Sequence, residues 1–349
     1  MKKLILTAAA AMMVLASCTK TTVESIDGPK EIAFKKIEGA MTKAVAENLA
    51  GNTTMGVFAF NHGTTQEYFS NALFEFNSNQ GAWAGGKYWP LNGDALDFVV
   101  YAPYIPTPAA SAEKNNIALS SRILTFTINE SADNSSEQLD FLYGEEYYDS
   151  KDGTDDDVVD DGYNKSSNNV RVNLKHALAK ITVKASANAD DTYTIESLSI
   201  NNVPQTGTIV VTYNDDNHAT KPDLVGSVVC TPATDPVVTK TYTYNNSTPL
   251  TTTAAELGSC FAFPGNTPTT LTITYTMEGH KEGSGNQIKM YSDIRLTSDP
   301  ESKWLSGYNY IYTLHLNATE ILFEPSVIEW TPADQGTTNV EQGTTVETE

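Results

Sequence analysis

The side chains that could carry chemistry in this 349-residue chain are few and scattered. The five histidines stand at positions 62, 176, 218, 280 and 315, so they form no His-Glu-x-x-His pair. Neither a Gly-x-Ser-x-Gly elbow, nor a Cys-x-x-Cys pair, nor a phosphate-binding glycine loop occurs in the sequence. We therefore expect that the protein is not an enzyme and holds no cofactor.

The first cysteine, Cys18, stands in a recognisable context. Lys2 and Lys3 precede an apolar run over residues 4–16, which is shorter than the roughly 20 residues of a membrane-spanning helix and fits a secretory signal peptide. The segment closes with Leu15-Ala16-Ser17-Cys18, which is similar to the bacterial lipobox, in which the thiol is acylated and the peptide is cut before the cysteine. An ordinary signal peptide with a coincidental cysteine is the alternative.

Three other groups could form a disulfide or bind a metal ion, but for each of them a purely structural role is preferred. Cys230 and Cys260 could pair, although two separate buried thiols are preferred. His176 lies on the apolar phase of a strand and reads as a core histidine, not a ligand. An aspartate cluster over residues 152–161 could bind calcium, but no Glu closes an EF-hand loop, so a solvated loop is preferred and no metal is expected; the cluster consists of Asp152, Asp155, Asp156, Asp157, Asp160 and Asp161.

The charge and composition exclude several classes of protein. The chain carries 43 acidic and 22 basic residues, for a formal net charge of -21. Such a surface repels a phosphate backbone, so we expect no nucleic-acid partner. At 40% hydrophobic residues the chain is too apolar for disorder, and its length suggests two domains.

Apolar and polar residues alternate with period two in many short runs, which predicts an all-β protein. Residues 271–277 and 308–316 are clear examples, and one short helix is expected near residue 46. Over residues 170–185 the apolar phase switches near Ala179, which indicates either a strand pair or a bulged strand. Trp83, Tyr88 and Trp89 could form a sugar platform, but a hairpin whose aromatic side chains fill the core is preferred.

Several segments occur in a characteristic order along nearly the whole chain. After the lipobox these are EIAFKKIEGAMTKA, KYWPLNGDALDFVVYAPY, LDFLYGE, VNLKHALAKITVKA, GYNYIYTLHL and VIEWTP. Together they resemble the fimbrillin family of Bacteroidales, the pilins and pilin-like lipoproteins of type V pili. The resemblance implies two transthyretin-like antiparallel β-sandwich domains in tandem.

On this resemblance the chain divides into five parts. We expect a signal peptide at 1–17, a propeptide with the first strand at 18–43, sandwiches at 44–186 and 187–330, and a polar tail at 331–349. The resemblance also implies that a protease removes the first strand by a cut that maps onto Lys43-Ala44. Family members are usually cut after Arg, whereas this chain has Lys.

The first strand has its own physical rationale. Ile32 and Phe34, with Ile37 beyond them, form the apolar side of a predicted edge strand, and burying each side chain contributes about 1.5–3 kcal/mol. Its removal would leave an apolar groove with unpaired backbone groups, which another strand could fill by β-augmentation.

The family resemblance places the donor strand at the C-terminus. There Ile321, Phe323 and Val327 share one phase, while Ile328 and Trp330 share the other with Leu322. Pro325 predicts two short strands instead of one.

The expected function is that of a structural subunit of a cell-surface fimbria. The subunit would be exported as a lipoprotein, held in the cell outer membrane by its lipid, processed, and polymerised with other fimbrial subunits to support adhesion to a host or bacterial surface ligand. The alternative is a surface lipoprotein of the same fold that binds glycan or host protein and does not polymerise.

Overall fold

The computed structural model describes fifteen stretches of the chain, and most of their residues lie in strands. The described residues are 29–35, 54–79, 81–107, 115–129, 132–146, 170–188, 192–213, 225–234, 238–245, 247, 249–265, 269–277, 287–296, 303–317 and 321–330. Nineteen strands lie within them: β1 Glu31–Lys35, β2 Thr54–Asn61, β3 Glu67–Asn77, β4 Ala82–Tyr88, β5 Leu96–Ala102, β6 Asn116–Ser120, β7 Ile123–Asn129, β8 Leu142–Glu146, β9 Val170–His176, β10 Ala179–Ala187, β11 Tyr193–Pro204, β12 Thr206–Tyr213, β13 Val225–Pro232, β14 Thr239–Asn245, β15 Ala255–Ala262, β16 Thr270–Met277, β17 Gln287–Arg295, β18 Tyr308–Leu316 and β19 Ile321–Glu329.

The N-terminal strands close into a barrel in the order β1-β4-β3-β2-β5-β8-β9. A second sheet, β13-β12-β7-β6, packs against one side of it. Strands β2 and β5 are therefore covered on both faces, which explains why both are buried almost throughout and apolar at successive positions. Inward residues such as Val57 fill the barrel, whereas Phe58 and Tyr101 share a separate core with Phe126 and Ile209 of the second sheet.

The C-terminal strands form a sandwich of two four-stranded sheets, β15-β10-β18-β19 and β14-β11-β16-β17. Their facing sides share one apolar core. Strand β16 follows the predicted alternation, with buried Leu271, Ile273, Tyr275 and Met277 between half-buried threonines. Period-two patterning is thus enough to orient this strand.

The switch of phase near Ala179 marks a crossing from one sheet to another. Strand β9 belongs to the barrel, and β10 pairs with β15 and β18 of the C-terminal sandwich. Conversely, β12 pairs with β7 of the N-terminal half. The sheets therefore do not divide at residue 186, because the chain crosses between the two halves more than once. The domain limits inferred from the family resemblance stay a prediction.

The all-β prediction is confirmed, since the one helical element in the described ranges is a single 3-10 turn at Ser135–Glu137. The transthyretin-like detail stays a prediction, and the helix expected near residue 46 falls outside the described residues. Nor do the described stretches contain a helix long and apolar enough to span a lipid bilayer.

Candidate functional site: the slot of the first strand

Strand β1 closes the barrel. It pairs antiparallel with β4, where Phe34 lies opposite Trp83, and parallel with β9, where Phe34 lies opposite Val170. The prediction of an edge strand is therefore wrong, because both sides of β1 have a neighbour. Loss of this five-residue strand would open the barrel and expose the facing edges of two strands instead of one.

The apolar face of β1 points into the barrel core. Ile32 and Phe34 are both fully buried. The ring of Phe34 stands edge-on to Phe74, at 5.1 Å between centroids, and to Phe98, at 5.2 Å. Such T-shaped contacts add about 0.5–1.5 kcal/mol to the area that an aromatic side chain buries. We call the space that β1 fills, with these two phenyl rings at its base, the slot.

Polar contacts fix the start of β1. The Glu31 carboxylate accepts a hydrogen bond from the backbone N–H of Gly86 at 2.8 Å, and the Lys30 carbonyl accepts one from the N–H of Trp89 at 3.0 Å. Ala33, between the two buried side chains, is half-buried. The strand is thus held by one carboxylate and two apolar side chains in a fixed order.

The aromatic segment beside β1 is divided between core and surface. Trp83 and Trp89 are both 3% exposed, as expected for a hairpin that fills the core, whereas Tyr88 is 47% exposed. No hydrogen-bond partner for the buried Trp83 Nε1 lies among the described residues. A sugar platform built from all three side chains is therefore wrong, because both indole rings are inside.

The C-terminal strand β19 lies at the edge of its sheet and pairs with β18 along all nine residues. Pro325 stands opposite Tyr312 without breaking the strand, so the prediction of two short strands is wrong. An edge strand tolerates proline because one side of its backbone needs no partner.

Side chains of β19 are held unevenly. Ile321 and Phe323 pack against the C-terminal core, and the Phe323 ring stacks on Tyr312 at 5.4 Å. Leu322, Val327 and Ile328 are 52%, 47% and 37% exposed. Apolar residues on both faces of an edge strand are a typical feature of an interaction surface.

Trp330 fixes the end of this segment against the first half of the chain. Its indole ring lies flat on the imidazole of His176, with centroids 3.5 Å apart, and next to Phe261 at 5.2 Å. The His176 ring is fully buried, and its Nδ1 hydrogen-bonds to Asp140 at 2.9 Å. His176 is thus a core histidine, as predicted, although Nε2 has no partner among the described residues. Sequence reasoning missed the contact with Trp330 because the two residues are far apart along the chain.

The structure also contains a buried ion pair that was not predicted from the sequence. Asp97 and Arg122 are 1% and 6% exposed, and they form a 2.7 Å contact. The other carboxylate oxygen of Asp97 contacts Nδ1 of His62 at 2.6 Å. This cluster fastens the β6–β7 turn to the barrel, since Arg122 lies between those two strands. No sequence signal distinguishes Asp97 from the other acidic residues.

The remaining predicted sites divide into those the structure describes and those it does not. Cys230 and Cys260 are separate thiols, and burial raises the pKa of Cys230 to about 11. The described residues contain no cluster of three potential metal ligands. Outside the described residues lie Cys18, Ile37, Lys43, Ala44 and the aspartate cluster at 152–161.

Comparison with known proteins gives a match to one family model and matches to several solved structures. The model of the fimbrillin-like family matches residues 42–330. Among solved structures, a fimbrial protein from Bacteroides vulgatus is 17% identical, with a TM-score of 0.54, and covers 86% of this chain and 100% of its own. A candidate cell adhesion protein from Bacteroides uniformis, also 17% identical, covers 87% of this chain and 100% of its own at a TM-score of 0.49.

A fimbrial anchor protein from Porphyromonas gingivalis is more distant. It is 12% identical, with a TM-score of 0.28, and covers 87% of this chain and 98% of its own. No curated protein matches the sequence significantly. At these identities the Bacteroides vulgatus structure supports the fold, and the family assignment rests on the family model.

Proposed function

Because the chain belongs to the fimbrillin-like family, we propose that it is a structural subunit of a cell-surface fimbria that polymerises by strand exchange. In this proposal β1 keeps the precursor monomeric, a protease then removes it, and a C-terminal strand of another subunit fills the slot. The partners are other fimbrial subunits, and the polymer supports adhesion.

The observation that carries the proposal is the burial of β1 in the slot. Ile32 and Phe34 together contribute about 3–6 kcal/mol of apolar burial. Removal of the strand would expose that surface and the facing edges of β4 and β9. A replacement strand would restore both the apolar contacts and the hydrogen-bond ladder. Since the slot and the donor are on different surfaces of one subunit, the contact is head-to-tail and builds a filament.

Attachment to the cell outer membrane belongs to the same proposal. Acylation of Cys18 would tether the precursor until the cut at Lys43-Ala44 and the departure of β1 from the slot separate the lipid from the folded body. Two or more acyl chains anchor a protein stably, because each buried methylene contributes about 0.8 kcal/mol. The location would then change from the lipid-anchored surface to the fimbrium on processing.

A second candidate function is a lipoprotein that binds glycan or host protein as a monomer. One observation favours it: with β1 in place, the barrel is closed and every barrel strand has two neighbours. The barrel itself thus needs no strand from a partner. The exposed tyrosines Tyr68 and Tyr88, which are 41% and 47% exposed on adjacent strands, would then offer a contact surface.

Sheared surface material from a producing strain separates the two functions. We expect ladders that resist unboiled denaturing gels and an N-terminus at Ala44 by Edman sequencing. A Lys43→Gln variant should lose the ladder, whereas the matched Lys36→Gln variant should keep it. If the protein without substitutions is a monomer that retains acylated Cys18, this would support the second function and contradict the first.

A further inference from the structure

Strand β1 begins with a tetrapeptide that is nearly repeated where the chain enters β19; of the second tetrapeptide, Glu320 lies outside the described residues and Ile321–Phe323 open the strand. Residues 31–34 read Glu-Ile-Ala-Phe, and residues 320–323 read Glu-Ile-Leu-Phe. The dipeptide Glu-Ile occurs at these two places and nowhere else in the chain. The single difference between the two tetrapeptides is Ala33 against Leu322.

Each position of the first tetrapeptide has a separate role in the slot. The Glu31 carboxylate accepts the hydrogen bond from Gly86, and the Ile32 and Phe34 side chains are fully buried. Ala33 is only half-buried. The three shared residues therefore make the specific contacts, and the residue that differs occupies a half-buried position outside the barrel core.

The three described residues of the second tetrapeptide are less buried in β19 than their counterparts in β1. Ile321 and Phe323 are half-buried against the C-terminal core, and Leu322 is 52% exposed. Strand β19 pairs with a single neighbour, β18, in the described part of the chain. In the slot, the same backbone would have a neighbouring strand on each side, and the side chains of Ile321 and Phe323 would be fully buried.

We propose that Glu320–Phe323 of a second copy occupies the slot in the register of Glu31–Phe34. Ile321 takes the place of Ile32, and Phe323 inserts its ring between Phe74 and Phe98. The donor runs in the direction of β1, antiparallel to β4 and parallel to β9. This inference rests on the proposed function, because β1 must first leave the slot.

Other placements of the C-terminal segment fit less well. Ile328 and Trp330 have the right spacing, but an indole is larger than the phenyl ring it would replace, and Val327 precedes them instead of a carboxylate. A register with Val327 in place of Ile32 would put Glu329 in place of Phe34 and bury an unpaired carboxylate. A donor in the reverse direction, with Phe323 in the phenyl site, would put Pro325 in the place of Ile32.

The register can be tested with pairs of introduced cysteines, one in the donor segment and one in β4 of the subunit that receives it. Ala33 lies opposite Ala84 of β4, so the proposed register brings Leu322 of the donor opposite Ala84. Directly opposed residues of neighbouring strands have side chains close enough to be joined. The full chain is produced in cells that export and process it, with Cys230→Ser to remove one thiol that could react and with a mild oxidant added to the sheared polymer.

The expected result is a covalent dimer from Ala84→Cys with Leu322→Cys. The matched pair Ala84→Cys with Glu329→Cys, which reports the Ile328–Trp330 register, should give no more dimer than either single-cysteine variant. If SDS-resistant multimers form but the covalent dimer comes only from the second pair, or from neither pair, the proposed register is wrong. Strand exchange itself would then still hold. Absence of SDS-resistant multimers in every variant, including the parent chain, would overturn the proposed function itself.

Substitutions in the donor give an independent readout. Phe323→Ala should reduce the ladder at least about tenfold, since a truncated aromatic side chain leaves its buried site unfilled. Leu322→Ala gives the donor the residue that β1 carries at that position and should keep the ladder. Equal ladders from the two variants would contradict the proposed register.

Discussion

Phe34→Ala is the most direct perturbation of the slot. The phenyl ring is fully buried and makes T-shaped contacts with Phe74 and Phe98 at 5.1 and 5.2 Å. Truncation of such a side chain removes its transfer free energy and leaves a cavity, which costs about 3–5 kcal/mol. We therefore expect a loss of that size from the free energy of unfolding of the barrel, a large part of the 5–15 kcal/mol roughly typical of a domain.

Urea unfolding of the full chain, with Cys18→Ser to prevent acylation, measures this loss. Trp83 and Trp89 are buried in the barrel core, so their fluorescence reports its unfolding. With a urea dependence of about 1–3 kcal/mol per molar, a loss of this size should lower the midpoint by roughly 1–5 M.

The matched control is Tyr88→Ala on the neighbouring strand β4. Its side chain is 47% exposed, and we expect a change within about 0.5 kcal/mol. If Phe34→Ala and Tyr88→Ala gave the same midpoint, burial of β1 would not stabilise the barrel. The physical basis of the proposed strand exchange would then be lost.

Three further outcomes are expected. Arg122→Met leaves the buried Asp97 carboxylate without its guanidinium and should lower the free energy of unfolding by about 3–5 kcal/mol; an unchanged urea midpoint would contradict this. Burial raises the pKa of Cys230 to about 11 and that of Tyr143 to about 12. The unfolded chain therefore loses these protons first, and stability should decline as the pH rises above about 9, which urea midpoints at pH 8 and 10.5 would test. Trp330→Ala removes the stacked indole and should make the C-terminal strand more sensitive to proteolysis, with Ile328→Ala as the control that should not.

The sequence predicted the faces of the strands well. Alternation identified Ile32 and Phe34 as inward-facing, and the same pattern holds along β16. Period-two patterning is local, because successive side chains of a strand point to opposite sides. It therefore fixes what each strand buries without reference to the rest of the chain. The order of the family segments likewise identified the fimbrillin-like family, which the family model confirms.

Which strands pair with each other could not be predicted from the alternation of apolar and polar residues. Strand β1 was expected at an edge, but it closes the barrel through Val170, far along the sequence. The pattern that predicts a buried face is the same for an edge strand and a central strand covered by another layer. Pro325 was expected to break a strand for a similar reason: its cost depends on whether its side of the backbone faces a neighbour.

The sequence by itself determined that this protein is a β protein of known family with an inward-facing first strand and an apolar last strand. Only the tertiary structure decided that β1 completes a closed barrel, that Trp330 stacks on His176, and that Asp97 pairs with Arg122. The physical reason is that periodicity and residue type act over a few positions, whereas these contacts join segments brought together by the packing of whole sheets.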